Sequence, residues 1–443
     1  MTFKSSALFA FRLMFPRSAK KSSARRSIFG AVLCIGISLV PLVLVMSFSD
    51  GMINGMTQRI IGLSTGELKS VVRSSAKAAS SFESLSEYGK ILSQIDGVQD
   101  VFLQVECEGL ASGKKSRIGV AVRAVENDIF ERNADFASLL KVKAGSIEQF
   151  KSAKKTAVIG EKISELLELA PGDKIRLILT KTLPNGAVSP VTQVFTVSAV
   201  VSSGYQELDS MWVFIPIEQS FSVLPKASSL YSVMIRTVDG VNADLAKIRE
   251  NCEANSYGIA RVYAWFHLNR NQLQNFSSTK VMLTFIMLLI VLVASVNISS
   301  ALVMLVMERR KEIAILKSIG GSASGITVSF LIAGVSCGFA GTLIGLPVGI
   351  LCAVNSNQIV SAVEHCVNFF SKILFILSGH SLASFENIQL LNPAYYLTEI
   401  PISIPYGELF MIASSVLLLS LVVSVVPAIK AGRESPLETF RKA

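Results

Sequence analysis

Charge is missing from long stretches of this sequence. Between Lys317 and Glu364 there is no Asp, Glu, Lys, Arg or His, and the runs 28–48, 281–307 and 409–429 hold no ionisable side chain except cysteine. Buried core helices rarely run so far without a charge. Roughly 20 apolar residues, rising about 1.5 Å each, suffice to cross a bilayer. We therefore read 28–48, 281–307, 325–354 and 409–429 as transmembrane helices. The absence of acids and histidines inside them argues against a proton-coupled carrier, because such carriers keep ionisable groups within the membrane. Catalytic signatures are missing too. The sequence has three histidines and neither H-E-x-x-H nor G-x-S-x-G. It also lacks the loop G-x-x-x-x-G-K-[ST] that cradles nucleotide phosphates. The nearest text, "ECEGLASGKKS", has the wrong glycine spacing and Lys115 where Ser or Thr is needed. The chain reads as non-catalytic, with no cofactor of its own.

Disulfides are equally scarce in prospect. Of six cysteines, Cys34, Cys337 and Cys352 fall in the apolar runs and Cys366 lies beyond the third. Cys107 and Cys252 share the long segment between the first two runs, where a bridge is open to them. In "DVFLQVECEG" the alternation sets Val101, Leu103, Val105 and Cys107 on one strand face, which favours a buried free thiol.

What is present begins with basic residues placed asymmetrically. Lys4, Arg12, Arg17, Lys20, Lys21, Arg25 and Arg26 precede the first run, and Lys430, Arg433, Arg441 and Lys442 follow the last. Arg309, Arg310, Lys311 and Lys317 occupy the connector between the second and third. By the positive-inside rule both termini and that connector are cytoplasmic. The net charge of +10 is then a topology signal, and nucleic acid is not implied. The first run is too long for a signal-peptide core and no A-x-A site follows it, so an uncleaved anchor is expected.

The segment 49–280 changes pattern. A stalk-like stretch, helical at both ends with a Ser/Ala-rich middle, precedes the strands "DVFLQVECEG", "RIGVAVRAV", "KIRLILT", "VTQVFTVSAVV", "MWVFIPI" and "LYSVMIRTV". Two amphipathic helices interrupt them, "KISELLELA" and "NADLAKIRENC". Strands and helices without strict alternation indicate an α+β domain. The fold class is thus an α-helical integral membrane protein with four transmembrane helices and an extracytoplasmic α+β domain inserted between helices 1 and 2.

The connector "MERRKEIAILKSIGGSAS" is unlike a loop. It is charged and breaker-free until Gly320 and Gly321 stop it. As a helix it carries Ile313, Leu316 and Gly320 on one side, with Ile315 and Ile319 beside them. A rigid helix here can seat on a partner or lie in the lipid headgroups; physics alone leaves both open.

This connector resembles the signature of FtsX-like, MacB-type permeases of ABC transporters. "ALFAFRLMF", "VLVMSFSDGMINGMTQRIIGLSTGEL", "SVNISSALVMLVMERRKEIAIL", "LNPAYYLTEIPISI" and "VVPAIKAGRESPLETFRKA" continue the likeness, the last two toward the LolC/LolE lipoprotein-releasing branch. The resemblance implies a coupling helix seated on a cytoplasmic ATPase, and Glu308, Arg309, Arg310, Lys311, Glu312, Ile313, Leu316, Lys317 and Gly320 are the residues it assigns. It also implies two ATPase copies that hold the ATP-Mg, a second permease, identical or related, a lipoprotein substrate and a periplasmic lipoprotein carrier. The location it implies is the inner membrane.

The expected order is a cytoplasmic amphipathic entry segment (1–27), the first span (28–48), the extracytoplasmic domain with its stalk (49–280), the second span (281–307) and the coupling helix (308–324). The third span (325–354), an extracytoplasmic loop (355–408), the fourth span (409–429) and a cytoplasmic tail (430–443) follow. Pro41 and Asn297 are candidate helix-packing residues, Asn297 through an interhelical hydrogen bond. One departure is the connection "KTLPNGAVSP", a short hairpin where some family members carry a carrier-binding hook. A MacB-like peptide or toxin exporter, an FtsX-type regulator of wall hydrolases and a non-transporting scaffold are the alternative readings.

Overall fold

The computed structural model describes residues 3–14, 23–152, 155–182, 188–377 and 402–434. The expected turn at Pro184, Asn185 and Gly186, all of "LNPAYYLTEI" and the tail beyond 434 lie outside them. The chain forms two compact units, one drawn from both ends of the sequence and one centred on Met52–Asn275.

Helix α1 covers Phe3–Met14 and α2 covers Ser23–Ile60, with Pro41 inside it and exposed. The helical run outlasts the expected span and ends in a wide turn, Ile61–Thr65, closed by Gly66 at φ +64°. There the chain enters β1 (Leu68–Val72), the Ser/Ala-rich stretch, and then α3 (Phe82–Ser93), whose N-cap Ser81 accepts from the Ser84 N–H. The supposed stalk is therefore helical at both ends but holds a sheet strand between them.

Nine more strands follow: β2 (Val98–Ser112), β3 (Arg117–Val125), β4 (Lys141–Gly145), β5 (Thr156–Gly160), β6 (Lys174–Thr182), β7 (Val188–Ser202), β8 (Trp212–Pro216), β9 (Ser229–Thr237) and β10 (Ala260–Ala264). The order is β10-β1-β9-β2-β3-β8-β5-β7-β4, with β6 joining β7 to β2. Among the described strand pairs only β3–β8 and β5–β7 run parallel. Strand β2 changes partner along its length, pairing β9 up to Cys107 and β6 from Gly109. That switch closes β2, β3, β8, β5, β7 and β6 into a ring, while β10 and β4 remain as outer strands paired on one side. Alternate residues such as Val105, Val122, Ile159, Leu177, Phe195 and Val213 meet in one core. A second, smaller core gathers Phe102, Phe130, Phe136, Phe150 and Phe214. Phe130 stands edge-to-face to Phe136 and to Phe150, both at 5.6 Å, and such pairs add about 0.5–1.5 kcal/mol each beyond their buried area. Helix α4 (Leu245–Ala254), capped by Asp244, buries Leu245, Ile248 and Cys252 against the first core. Cys107 and Cys252 are both free thiols in that core, so the bridge open to them is not formed.

From Arg270 onward the described helices are α5 (Arg270–Glu308), α6 (Arg310–Ser318), α7 (Ala323–Val354), α8 (Ser356–Leu377) and α9 (Tyr406–Arg433). Among the described residues α2, α5, α7 and α9 are long and apolar enough to cross a membrane. The stretch after α7, expected to be a loop, opens instead with the 22-residue amphipathic α8. Its apolar residues recur at helical spacing (Ile359, Val363, Val367, Phe370, Ile373), with Glu364 and Lys372 between them.

Helix α7 is the hub of the membrane unit. A side chain at Gly345 would start 2.7 Å from the Gly36 carbonyl oxygen of α2, and one at Gly334 would strike Ser424 of α9. Without a hydrophobic drive between helices in lipid, such close backbone approach supplies the packing. Gly345→Leu should therefore cost at least about 1–3 kcal/mol, seen as a lower melting temperature in detergent. Gly30→Leu, where nothing lies within 4 Å, should melt like the parent.

Candidate functional site

The connector folds as α6, one residue after α5 ends, and Ile313 and Ala314 are buried in the core of the membrane unit. Leu316 is half-buried against the same core. The 3.6-residue period then turns Lys311, Glu312, Ile315 and Ile319 to the opposite side of this short helix, where all four are exposed. Ile319 is 79% and Ile315 49% exposed. These are large apolar groups beside opposite charges, on a helix whose other face is already occupied. Arg309 pairs with Glu312 across the first turn. Gly320, at φ +97°, ends the helix in a conformation that suits glycine, and the Ser322 hydroxyl caps α7 by accepting from the Gly325 N–H at 3.2 Å.

Two of the assigned cations face inward, toward the end of α9. Lys317 Nζ donates to the carbonyls of Gly432 at 2.5 Å and Glu434 at 2.7 Å. Arg310 Nε donates to the Glu434 carboxylate at 2.7 Å. A helix leaves its last carbonyls unpaired and carries partial negative charge there, so Lys317 caps α9 from another helix. The nine assigned residues thus split in role. Lys311 and Glu312 share the outward face, Glu308 is exposed at the end of α5, and Ile313, Leu316, Arg310 and Lys317 bind α6 to its own bundle. Ile315 and Ile319 complete the outward face and were not among the nine. Their signal was the spacing 312, 315, 319.

Asn297 Nδ2 donates to Cys34 Sγ at 2.9 Å, joining α5 to α2. In the other unit, burial pushes the Cys252 thiol up to about 11 and raises Cys107 as well. Burial likewise raises the Asp209 carboxyl, although the Ser203 N–H and the hydroxyls of Ser202 and Ser203 bond to it within 2.8 Å. These groups sit in structural settings. Among the described residues no group of three or more His, Cys, Asp or Glu is placed to hold a metal ion.

Residues 28–249 match the MacB-like periplasmic core domain, and residues 284–436 match the FtsX-like permease C-terminal domain. A relative from Xylella fastidiosa (strain 9a5c), the lipoprotein-releasing system transmembrane protein LolC, is 26% identical over 76% of this chain and 76% of its own. The corresponding LolE of Haemophilus influenzae is 22% identical over 92% of each chain. The solved periplasmic region of MacB from Actinobacillus actinomycetemcomitans aligns at 14% identity over 48% of this chain and 94% of its own, with a TM-score of 0.31. With one domain match spanning half of the sequence and a second covering the helices around the connector, the chain belongs to the FtsX-like, MacB-type family of ABC transporter permeases and is related to LolC and LolE.

Proposed function

We propose that this permease extracts lipoproteins from the outer leaflet of the inner membrane and passes them to a periplasmic carrier. A cytoplasmic ATPase pair supplies the energy, and a second permease, identical or related, completes the assembly. In this reading both termini and α6 are cytoplasmic, while the Met52–Asn275 unit and α8 lie on the periplasmic side. The single observation that carries it is the two-sidedness of α6: one face is packed into the bundle, and the other leaves Lys311, Glu312, Ile315 and Ile319 exposed. That the relatives are named as lipoprotein-releasing system proteins supports the choice of cargo. The β6–β7 ladder runs on to Thr182 and Val188, beyond the last β2 pairing at Leu179. The paired arms run two residues beyond "KIRLILT" and three before "VTQVFTVSAVV", and the connection between them lies outside the described residues.

The test is capture of the ATPase from solubilised membranes by tagged permease. Wild type should retain it, and Ile319→Asp, which places a charge on the most exposed apolar residue at the C-terminal end of the outward face, should lose at least about 90% of it. Leu316→Asp is a poor substitute, because it would unpack α6 itself. Equal capture by Ile319→Asp and wild type would remove α6 as the docking element. A peptide in place of a lipoprotein in the eluate would favour an exporter.

A further inference from the structure

Within the Met52–Asn275 unit a cavity of about 170 Å³ opens between the last turn of α2, the outer strand β4 and the end of β7. Arg59, Lys141 and Lys143 line it together with Ser138, Ser202 and Ser203, and no carboxylate is among the lining residues. Arg59 is half-buried and held from behind. Its Nε donates to the Ser203 carbonyl at 2.7 Å and its Nη1 to the Gly55 carbonyl at 3.1 Å. Its Nη2 meets no acceptor among the described residues. Gly204 keeps the approach to that nitrogen open, since a Cβ there would already stand 3.4 Å from it. Lys143 has no counterpart on β7, because the pairing steps from Val142 with Val201 to Ala144 with Val200. Bulges of this kind re-aim a side chain. Its partner is Glu161 at 3.3 Å, in a pair exposed on both sides that a better ligand readily exchanges. The Asp209 carboxylate already engages the Ser202 and Ser203 hydroxyls, so the donors left for a ligand are the cations.

A guanidinium fixed through two of its nitrogens, with the third left at a cavity, is an anion receptor ordered in advance. The cavity is well below the roughly 300–1,000 Å³ that holds a drug-sized molecule, so its occupant is a compact group. Positive charge reaches it from two sides, α2 and β4. Oxygens set tetrahedrally can meet donors from such separate directions, whereas a carboxylate offers two oxygens in one plane. We propose that this cavity binds a phosphate group, free or as an anionic lipid headgroup, between Arg59 Nη2 and Lys143 with Lys141 beside them. The site is independent of the lipoprotein reading, because it uses no residue of α6 or of the membrane unit. Its occupant would join the last turn of α2 to β4, a strand otherwise paired on one side only.

The experiment is calorimetric titration of inorganic phosphate into the full-length protein in nanodiscs of zwitterionic lipid, at constant ionic strength. Wild type should bind phosphate at a single site per chain. Lys143→Gln should weaken that binding at least about tenfold. Arg59→Lys, which keeps the charge but loses the fork, should weaken it as well. Glu161→Gln should strengthen it about threefold, because it frees Lys143 and removes a negative charge from the rim. A folding defect cannot produce that gain. Repeating the titration in nanodiscs that contain phosphatidylglycerol identifies the source. Weaker apparent phosphate binding there supports a headgroup occupant, and unchanged binding supports free phosphate. No phosphate binding by wild type, or equal binding by wild type, Lys143→Gln and Glu161→Gln, would overturn the proposal. Displacement of phosphate by an equal concentration of succinate would overturn the choice of phosphate over carboxylates. ATPase capture and lipoprotein release are read separately and do not depend on any of these results.

Discussion

Replacing Lys317 by alanine is expected to leave the permease bound to its ATPase and hydrolysing ATP, while lipoprotein release falls at least about tenfold. The reason lies in what α6 is fastened to. It follows α5 after a single residue and leads into α7 through Gly320 and Gly321, so both of those helices are joined to it covalently. Helix α9 is not. Its lower end is held by the Lys317 ammonium on the carbonyls of Gly432 and Glu434, together with Arg310 on the Glu434 carboxylate. Hydrogen bonds to a charged group contribute about 1.5–3 kcal/mol each, and the helix dipole adds to the attraction. With the ammonium gone, a push on α6 still moves α5 and α7, but α9 then follows only through its packing on α7 and the Arg310–Glu434 pair, without the direct tie to α6 that Lys317 provides. Lys317→Arg, which keeps the charge, should recover part of the release. Hydrolysis and release measured in the same proteoliposomes separate this from a docking defect. Ile319→Asp should lower both together, and Lys317→Ala only the second. A parallel loss in Lys317→Ala would mean that the lysine serves docking or folding instead.

How much of this was legible beforehand depends on the range of the interaction. The four long helices announced themselves because a charge-free run has few other homes. Their ends did not, since α2 continues past Asp50 to Arg59 and α5 begins at Arg270, where polar residues no longer mark a boundary. In the other unit the long alternating strands were plain, and the short ones were missed for separate reasons. β4 is exposed along its whole length and β5 is buried along its whole length, so neither alternates. β1 places Lys69 at a buried position, which inverts the polarity expected of "LKSVV". In the connector, periodicity located two adjacent apolar stripes, Ile313 with Leu316 and Ile315 with Ile319. Which stripe meets the bundle is a tertiary fact that the period cannot supply. The partners of Lys317 lie more than a hundred residues away, and no local signal points to them.

The same Lys69 leads to the largest stability effect expected. Glu106→Leu should destabilise the Met52–Asn275 unit by about 3–5 kcal/mol, the usual cost of leaving a buried charge without its partner. Glu106 Oε1 lies 3.0 Å from Lys69 Nζ and 3.2 Å from Arg123 Nη2. Both cations are buried, and the Arg123 guanidinium lies 4.3 Å over the Trp212 ring with its Nε and Nη1 unpartnered. Leucine would strand two buried positive charges on the sheet face opposite the main core. For a unit of this size the melting temperature should fall on the order of 10 °C, read by scanning calorimetry on the intact protein in detergent. The pH dependence gives an independent check. Burial alone would raise the Glu106 carboxyl, but Lys69 and Arg123 outweigh it and hold it below its ordinary range. Its contribution is therefore present above the unfolded carboxylate value of about 4.5 and is lost as pH falls through the lower folded value. Wild type should lose this part of its stability on acidification, and Glu106→Leu should not. At the alkaline end the order reverses. Burial already lowers Lys69, and without Glu106 it would sit lower still, so the variant should regain stability as rising pH removes that proton. A Lys69→Met, Glu106→Leu double variant should then melt above Glu106→Leu alone. A single variant that melts with wild type at neutral pH would show that water reaches these cations and that the cluster is not closed.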